Sequence, residues 1–243
     1  MKKLGILIFF LLLGASTEVS AWNYGQFISC NALNPMPTIT LKTSYGELVH
    51  DFNLTTKQLT AKGRGMEKEG FIEGLATRNV YRLIALKKYT VKKLDDTATC
   101  ILPAEVEVTI AYKNPEIYVS KDLDFQSCRF SVAIRHEQVH QRINKLVLDY
   151  FLPLFFDELK IAVRDVKAIK VSSPEEAEEG AKKLINYYHK RLDPVFNIYL
   201  ELLKNEQEKL DNLTNYKMEW DLCKKFEEKH PAAKKQEVST AGK

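Results

Sequence analysis

Residues 130–156 of this 243-residue chain read FSVAIRHEQVHQRINKLVLDYFLPLFF, and the rest of the molecule is organised around them. Apolar side chains recur there at steps of three and four residues, which is typical of an α-helix with one buried face. His136 and His140 are four residues apart, so their imidazoles lie one above the other on a single helical face. Glu137 follows the first imidazole directly. The stretch therefore predicts a long helix that carries a chemical site on one face.

The pattern His-Glu-x-x-His supplies the groups that a catalytic zinc site needs. Zn²⁺ accepts neutral imidazole nitrogen, and catalytic sites use three protein ligands and keep a fourth position for water. A carboxylate beside that water can take its proton during attack on a carbonyl. We therefore predict His136 and His140 as zinc ligands and Glu137 as the general base. The alternative is a chance match, with a solvated pair of histidines on the helix surface.

A third zinc ligand must come from outside the motif. The spacing His-Glu-x-x-His-x-x-Gly-x-x-His is excluded, because Ile143 and Leu146 stand where the glycine and the third histidine belong. A downstream carboxylate is then the natural candidate, as in sites with two histidines and one acidic ligand. Asp157 and Glu158 could serve only if Pro153 broke the motif helix into a turn.

Helix geometry narrows the choice of carboxylate. If two long helices fold back on each other about Ser172, equal axial rise brings His140 level with position 204 and His136 level with position 208. Four acidic residues fall near that window, namely Glu201, Glu206, Glu208 and Asp211.

The first 21 residues have the pattern of a signal peptide. Lys2 and Lys3 form a positive start, residues 4–13 are apolar, and Val19-Ser20-Ala21 resembles a cleavage site. The apolar run is too short to span a bilayer comfortably. We therefore expect a mature chain from Trp22 that is exported, periplasmic or secreted, and without stable membrane insertion.

Charge and cysteine content bound the class of protein further. The formal net charge is only +4 with acids and bases interspersed, so a nucleic-acid partner is not expected. Cys30, Cys100, Cys128 and Cys223 are an even number of cysteines for an oxidising compartment, so one or two disulfides are expected. All three connectivities stay open, although pairing Cys100 with Cys128 would tie a strand to the motif helix. The oligomeric state is not defined by the sequence.

Strand patterns dominate the chain before the motif, over residues 37–120. Segments 37–45, 79–86, 89–94 and 105–112 predict strands, and a short helix is expected after Thr55. Residues 116–120 predict a short edge strand. Such a strand could bind an extended substrate by adding it to the sheet, although an ordinary sheet edge is equally consistent.

Helical patterns dominate residues 126–228. Pro153 is expected to kink or split the motif helix. Ser173-Pro174-Glu175-Glu176 is a strong start signal for a second helix that runs to about Leu210 and bends at Pro194. A last helix is expected at 216–228, followed by a disordered tail at 229–243. The predicted class is α+β: one domain at 22–228, with a mostly antiparallel N-terminal sheet packed on a C-terminal bundle of long helices.

Three segments together resemble a known family. Residues 100–112, the motif HEQVH and the later stretch Gln207-Glu-Lys-Leu-Asp-Asn-Leu-Thr214 are similar to exported bacterial proteins predicted to be zinc-dependent proteases of the zincin type. In that family a Cys-led strand precedes His-Glu-x-x-His, and the element Q-x-x-Y-D-x-x-T-x-H-G closes the domain. The similarity spans about residues 38–215.

The resemblance also sharpens the choice of ligand. Asp211 matches the family motif and falls within the helical window, so it is the first choice for third zinc ligand, with Glu206 second. A plain helix-end aspartate is the alternative for Asp211. This chain departs from the family at Leu210, which replaces a tyrosine, and at Tyr216-Lys217, which replaces His-Gly. The loss of that histidine puts metal affinity in question.

The sequence thus favours a zinc-dependent peptidase of the cell envelope or exterior, acting on a peptide or protein substrate, including peptidoglycan stem peptides. The alternative is a non-catalytic envelope scaffold or binding protein with a helical interaction surface. The surroundings of Glu137 discriminate between them: an enzyme needs this carboxylate free, whereas a structural helix would pair it with Arg129, Arg135 or Lys145.

Two residues are candidates for stabilising the oxyanion of a tetrahedral intermediate. Arg142 and Tyr199 both follow the motif, and the sequence does not choose between them.

Overall fold

The computed structural model describes residues 30–33, 36–63 and 72–230. The predicted signal peptide at 1–21 and the tail from residue 231 onward lie outside the described residues. The predicted class is confirmed: the fold is α+β, with mixed sheets from the N-terminal half packed against long C-terminal helices. In chain order the strands are β1 (Thr38–Ser44), β2 (Val49–Asp51), β3 (Gly74–Ala76), β4 (Val80–Asp95), β5 (Ala98–Tyr112), β6 (Glu116–Val119) and β7 (Ile169–Val171). The helices are α1 (Thr56–Lys62), α2 (Cys128–Asp165), α3 (Ala177–Leu210) and α4 (Leu213–Lys229).

Strand β5 is the centre of the larger sheet. It pairs antiparallel with β4 and β7 and parallel with β1. The two strands predicted at 79–86 and 89–94 are one continuous strand, β4, whose register shifts between Leu86 and Tyr89. That shift breaks the polar and apolar alternation, which is why the sequence indicates two strands. Strand β7 was not predicted, because three residues between two helices are too few to set a pattern.

The smaller sheet has the order β2-β6-β3, which corrects the prediction for residues 116–120. This segment is β6, the central strand, and it pairs parallel with β2 and antiparallel with β3. Ile117, Tyr118 and Val119 are all buried, as a strand covered on both sides requires. Among the described residues, the edge strand next to the motif helix is β3.

Helices α2 and α3 run antiparallel and share the main core with β5. Phe151 and Phe155 of α2 pack against Tyr199 of α3, with ring centroids 5.5 and 5.9 Å apart. Pro153 and Pro194 lie inside their helices and end neither of them. The core residues that these helices share with the sheet are Val106, Val108, Ile110, Leu148, Leu159, Leu184, Tyr188 and Leu192. This packing fixes the C-terminal half of α2 and so positions its N-terminal half.

The fold-back of the two helices is close to the predicted one. His140 lies opposite Gln207 rather than opposite position 204, so the register is shifted by about one helical turn. A 3-10 turn at Pro174–Glu176 precedes α3 and, with β7, lengthens the connection between the helices. The shift carries Asp211 past the end of α3, at its C-cap, level with the motif.

The two disulfides are Cys30–Cys100 and Cys128–Cys223, so the suggested pairing of Cys100 with Cys128 is wrong. Cys100 is buried near the start of β5 beside Leu102 and Cys30, whereas Cys128 begins α2 and is bonded to α4. Two disulfides are compatible with an exported protein. In the described part of the chain, no helix is both long and apolar enough to cross a membrane.

Candidate metal centre

The N-terminal half of α2 buries a polar face. His136, Glu137 and His140 are 5%, 6% and 8% exposed, respectively. The helix starts cleanly, because the Ser127 side chain accepts a hydrogen bond from the backbone N–H of Phe130 at 3.1 Å. Because both imidazoles are buried, they are not a solvated surface pair. Buried polar groups need partners, and the partners here come from β3, α3 and α4.

Three acceptor atoms converge at the centre of this face. Asp211 Oδ1 lies 3.1 Å from His136 Nε2 and 2.9 Å from His140 Nε2, and the two Nε2 atoms are 3.1 Å apart. Glu206, the second-choice ligand, instead forms an ion pair with Lys209 at 2.6 Å. The structure thus brings Asp211 to the imidazoles and directs Glu206 elsewhere.

A chain of amide side chains fixes the tautomer of His140. Gln141 Nε2 donates to the backbone oxygen of Thr77 at 2.8 Å, and Gln141 Oε1 accepts from Asn144 Nδ2 at 3.1 Å. Asn144 Oδ1 in turn accepts from Gln207 Nε2 at 2.7 Å, which leaves Gln207 Oε1 facing His140 Nδ1. An amide oxygen can only accept, so Nδ1 of His140 carries a proton. Its Nε2 lone pair is then directed at the other acceptors.

The orientation of His136 is set from α4. Its Nδ1 lies 3.1 Å from Glu219 Oε1, and a carboxylate accepts, so this nitrogen also carries a proton. Tyr216 stacks on the ring of His136 with centroids 5.2 Å apart, and its hydroxyl donates to Asp211 Oδ1 at 2.9 Å. Both imidazoles therefore present Nε2 to the same point.

These atoms fit a divalent cation such as zinc. Tetrahedral zinc with bonds of ~2.0–2.1 Å separates its ligand atoms by roughly 3.3 Å, so the three acceptors need to open by only a few tenths of an ångström. Two imidazole nitrogens and one carboxylate oxygen are a set that zinc accepts. Each imidazole also has the acceptor on its second nitrogen that ligating histidines usually have.

In the metal-free group, protons between the imidazole nitrogens and the Asp211 carboxylate take the place of a cation. Burial lowers the pKa of His136, but its hydrogen bond to Asp211 and the negative charges of Glu137 and Glu219 outweigh burial and raise that pKa to about 9. The pKa of His140 is raised for similar reasons. Burial would raise the pKa of Asp211, yet its hydrogen bonds from the two imidazoles hold that pKa well below its usual range. The group can therefore hold either protons or a metal ion.

Glu137 lies against strand β3. Burial raises the pKa of its carboxyl to about 7, while the charges of His140 and His136 and a backbone hydrogen bond from Ala76 act in the opposite direction. A Cβ atom placed on Gly74 would lie 2.6 Å from Glu137 Oε1, so a side chain at this position would displace the carboxyl group. The carboxylate is thus held between the motif imidazoles and the edge of a sheet.

The cations proposed as structural partners of Glu137 are engaged elsewhere or do not reach it. Arg129 pairs with Glu73, and Lys145 lies over the ring of Tyr45 with 4.8 Å to its centroid. Within the described ranges, no lysine or arginine forms an ion pair with Glu137. The carboxylate is therefore free of the ion pair that a purely structural role predicts.

Two cavities meet at this group. The larger, of about 670 Å³, lies between β3, α2 and α4 and is lined by His136; the smaller, of about 230 Å³, is lined by His140 and Asp211. Four residues line both cavities, and they are Ile72, Gly74, Glu137 and Tyr216. We call the two cavities the large lobe and the small lobe of one cleft. The convergent acceptor atoms lie where the lobes join.

Neither residue considered for oxyanion stabilisation reaches the cleft. Tyr199 is fully buried in the core, where its hydroxyl lies 2.6 Å from that of Tyr112. Arg142 is exposed and lines neither lobe. Tyr216, by contrast, lines both lobes.

Sequence reasoning missed three residues that orient the group. Gln207 precedes Asp211 by four residues and so shares its helical face, which was an available signal. Tyr216 and Glu219 are three residues apart on α4, but nothing local indicates which helix they face. Tyr216 was considered only as the loss of a family histidine, whereas it contacts both His136 and Asp211.

Comparison of this chain with protein-family models, with curated proteins and with solved structures gave no match. The resemblance to exported zinc proteases therefore rests on the motif residues alone, and the chemistry of the site is the basis for inferring a function.

Proposed function

We propose that this protein is a zinc-dependent peptidase in which His136, His140 and Asp211 hold the zinc and Glu137 is the general base. One observation carries the proposal. Two imidazole Nε2 atoms and a carboxylate oxygen converge within 3.1 Å of one another beside a buried carboxylate, at the junction of two open lobes. That combination is what metal-assisted hydrolysis needs.

The protein side of the chemistry follows from the partners of each residue. Bound zinc supplies a Lewis acid that lowers the pKa of a water molecule and polarises a carbonyl group. Glu219 and Gln207 hold the Nδ1 protons of the imidazoles, which keeps both Nε2 lone pairs available as ligands. Asp211 adds the negative charge that balances part of the metal charge.

Glu137 takes the proton of the attacking water and passes it to the leaving amine. In the metal-free protein burial raises the pKa of this carboxyl to about 7, and the charge of a bound cation would lower that pKa and keep the carboxylate ionised as a base. The backbone N–H of Ala76 donates a hydrogen bond to the carboxylate, and the lack of a side chain at Gly74 leaves room for it at the cleft. Tyr216, which lines both lobes, donates its hydroxyl proton to Asp211 and so orients that carboxylate beside the imidazoles.

Strand β3 favours an extended peptide as substrate. It pairs with β6 on one side, and within the described residues its other side has no strand. Gly74 and Ala76 of this strand line the cleft beside Glu137. A peptide aligned along that edge would hydrogen-bond to the backbone with its scissile bond over the imidazoles. We assign the binding of an extended substrate to β3 rather than to residues 117–120, because β6 is the central strand of the sheet.

We place this activity outside the cytoplasm, in the periplasm or the medium. The two disulfides favour an oxidising compartment, and the N-terminal sequence has the pattern of a signal peptide.

Elemental analysis of the purified protein tests the metal site. We expect about one zinc per chain in the wild type, in Glu137→Gln and in the control His50→Ala, because His50 is exposed on β2. His136→Ala and His140→Ala should lose the zinc. A wild type that takes up no zinc from excess metal contradicts the proposal.

Cleavage of a fluorogenic peptide library tests the base. Glu137→Gln should retain zinc and lose at least about a thousandfold in kcat, since removing both a base and its charge costs about 4 kcal/mol of barrier or more. Comparable activity in wild type and Glu137→Gln would remove this residue from the mechanism.

A scaffold function is the second candidate, and helix α4 favours it. Leu213, Met218, Leu222 and Phe226 are all exposed on this helix, which buries only Cys223. Under this alternative the metal is structural or absent and α4 binds a partner protein. Zinc bound at full occupancy with no cleavage of any peptide in the library would favour the scaffold over the peptidase.

A further inference from the structure

The two lobes of the cleft differ in size and chemistry. The large lobe has nearly three times the volume of the small one, at about 670 against 230 Å³. His136 lines the first, and His140 and Asp211 line the second, so a molecule that fills both places its middle at the three acceptor atoms. The lobes therefore act as two unequal subsites on either side of the reacting bond, if the proposed function holds.

The large lobe offers apolar and aromatic surface. Ile72, Val132 and Ala133 line it together with Trp220, whose side chain is 63% exposed. The guanidinium of Arg129 lies over the Trp220 ring with 4.8 Å to its centroid, which fixes one face of the indole. An exposed tryptophan held in this way is a surface on which a bulky apolar or aromatic side chain can stack.

The large lobe carries charges of both signs, because its lining includes Glu73, Glu137, Glu219 and Glu227 as well as Arg129, Lys224 and His136. Arg129 forms an ion pair with Glu73. Lys224 shares the lobe with Glu227, three residues further along α4. No strong preference for a charged group follows from this side of the cleft.

The small lobe contains a cation that forms no ion pair with any of the carboxylates in its lining, Glu137, Glu208 and Asp211. Lys204 lies 3.6 Å from Glu208, so its charge is offset. Arg78 is exposed and lines the same lobe, and in the described part of the chain no carboxylate lies within ion-pair distance of its guanidinium. Asn144 and Gln207 give the lobe further polar walls. A guanidinium in this setting is suited to bidentate binding of a carboxylate.

We propose that the cleft selects peptides with a bulky apolar or aromatic residue in the large lobe and a carboxylate in the small lobe, where Arg78 binds it. This specificity rests on the proposed peptidase function but concerns binding alone. The carboxylate is either an acidic side chain or the C-terminal carboxylate of the peptide, since Arg78 recognises the same group in both.

Binding of designed peptides to the as-isolated Glu137→Gln protein, which does not cleave them, tests this proposal by calorimetry. One arm uses acetylated and amidated Ala-Phe-Ala-Glu-Ala and Ala-Glu-Ala-Phe-Ala, each against its glutamine counterpart. The other arm compares Ala-Phe-Ala-Ala-Ala with a free C-terminus against its amide. We expect about fivefold tighter binding of the carboxylate member in at least one arm, the size of one partly exposed ion pair.

The variants assign the preference to a residue. Arg78→Gln should abolish the preference, and the matched control Arg142→Gln, an exposed arginine outside both lobes, should retain it. Trp220→Ala should weaken all phenylalanine peptides by about tenfold without changing the carboxylate preference. Equal binding of charged and neutral peptides in both arms, or a preference that persists in Arg78→Gln, overturns the proposal.

Failure here is distinct from failure of the proposed function. Absence of zinc or of hydrolysis would refute the peptidase and leave the binding preference measurable. Conversely, an active zinc enzyme without the preference would refute only the role of Arg78.

Discussion

The two halves of helix α2 bury opposite kinds of side chain. From Cys128 to Asn144 the buried face is polar and carries His136, Glu137 and His140. From Val147 to Val163 it is apolar, and Phe151 and Phe155 occupy its centre. The helical period is the same throughout, so the helix itself does not distinguish the halves. What differs is the partner, because the second half packs on β5 and the middle of α3, whereas the first faces β3, α4 and the C-terminal end of α3.

The difference separates the source of stability from the candidate metal site. The apolar half removes large side chains from water, which is the dominant favourable term in folding. The polar half exchanges hydrogen bonds with water for hydrogen bonds within the protein, which contributes little net free energy. Stability should therefore depend on the second half and metal binding on the first, and four experiments test that division.

The largest expected effect is on the apolar half. Phe155 is fully buried between Phe151, Phe196 and Tyr199, so Phe155→Ala should lower the free energy of unfolding by about 3–5 kcal/mol. Urea unfolding followed by circular dichroism measures the change. The neighbouring exposed residue gives the control, because Leu154→Ala should change stability by less than ~0.5 kcal/mol. Equal effects of the two variants would contradict the packing described.

The disulfide of the polar half is next in size. Cys128–Cys223 joins the start of α2 to α4, and removing a native disulfide typically costs about 2–4 kcal/mol. Because Cys223 is the only residue that α4 buries, the variant Cys128→Ser/Cys223→Ser should release this helix in particular. Limited proteolysis should then cut within α4 first. The matched variant Cys30→Ser/Cys100→Ser should lose stability and leave α4 protected.

The pH dependence of the metal-free protein probes the imidazoles. The folded-state pKa of His136 is about 9, above the unfolded value of 6.5, so its contribution is fully present below pH 6.5 and is lost as pH rises to about 9. Thermal unfolding in chelator should show a loss on the order of 1–3 kcal/mol over that window. His136→Ala should flatten the curve there. A wild type whose stability rises between these pH values would contradict the assigned hydrogen bonds.

The smallest effect concerns residues that act through the imidazoles. Glu219→Gln and Gln207→Ala should weaken zinc binding by about tenfold to a hundredfold, because each loosens a ligating histidine without removing it. Competition with a chromogenic chelator measures the affinity. Glu206→Gln should leave the affinity unchanged, because Glu206 pairs with Lys209 and not with either imidazole. Unchanged affinity in all three variants would show that α3 and α4 do not support the site.

The sequence predicted the features that depend on the periodicity of a single helix or strand. The motif helix, its polar face and the approach of Asp211 all follow from a period of 3.6 residues and an antiparallel partner. The α+β class follows from strand patterns before residue 120 and helical patterns after residue 126. The helix and the fold class need no knowledge of how distant segments meet, whereas the choice of Asp211 among four carboxylates came from the family resemblance.

The features that the sequence did not predict depend on contacts between segments that are distant in the chain. The central position of β6 requires β2 and β3 to flank it, and neither strand is long enough to show a pattern. Tyr216 and Glu219 reach the site because α4 turns back after Asn212, whose side chain caps it by accepting from the Asn215 N–H at 3.0 Å. The disulfide pairing follows from which ends of β5 and α2 come together, and cysteine spacing does not encode that.

The amide chain from Thr77 to His140 has a direction. Each of Gln141, Asn144 and Gln207 has one end that donates and one that accepts, so turning any single amide around would set two donors or two acceptors against each other. The three can reverse only together, and the backbone oxygen of Thr77 cannot reverse at all. The nitrogen of His140 that carries the proton is thus determined by the backbone oxygen of Thr77, at the end of β3. That oxygen does not itself titrate.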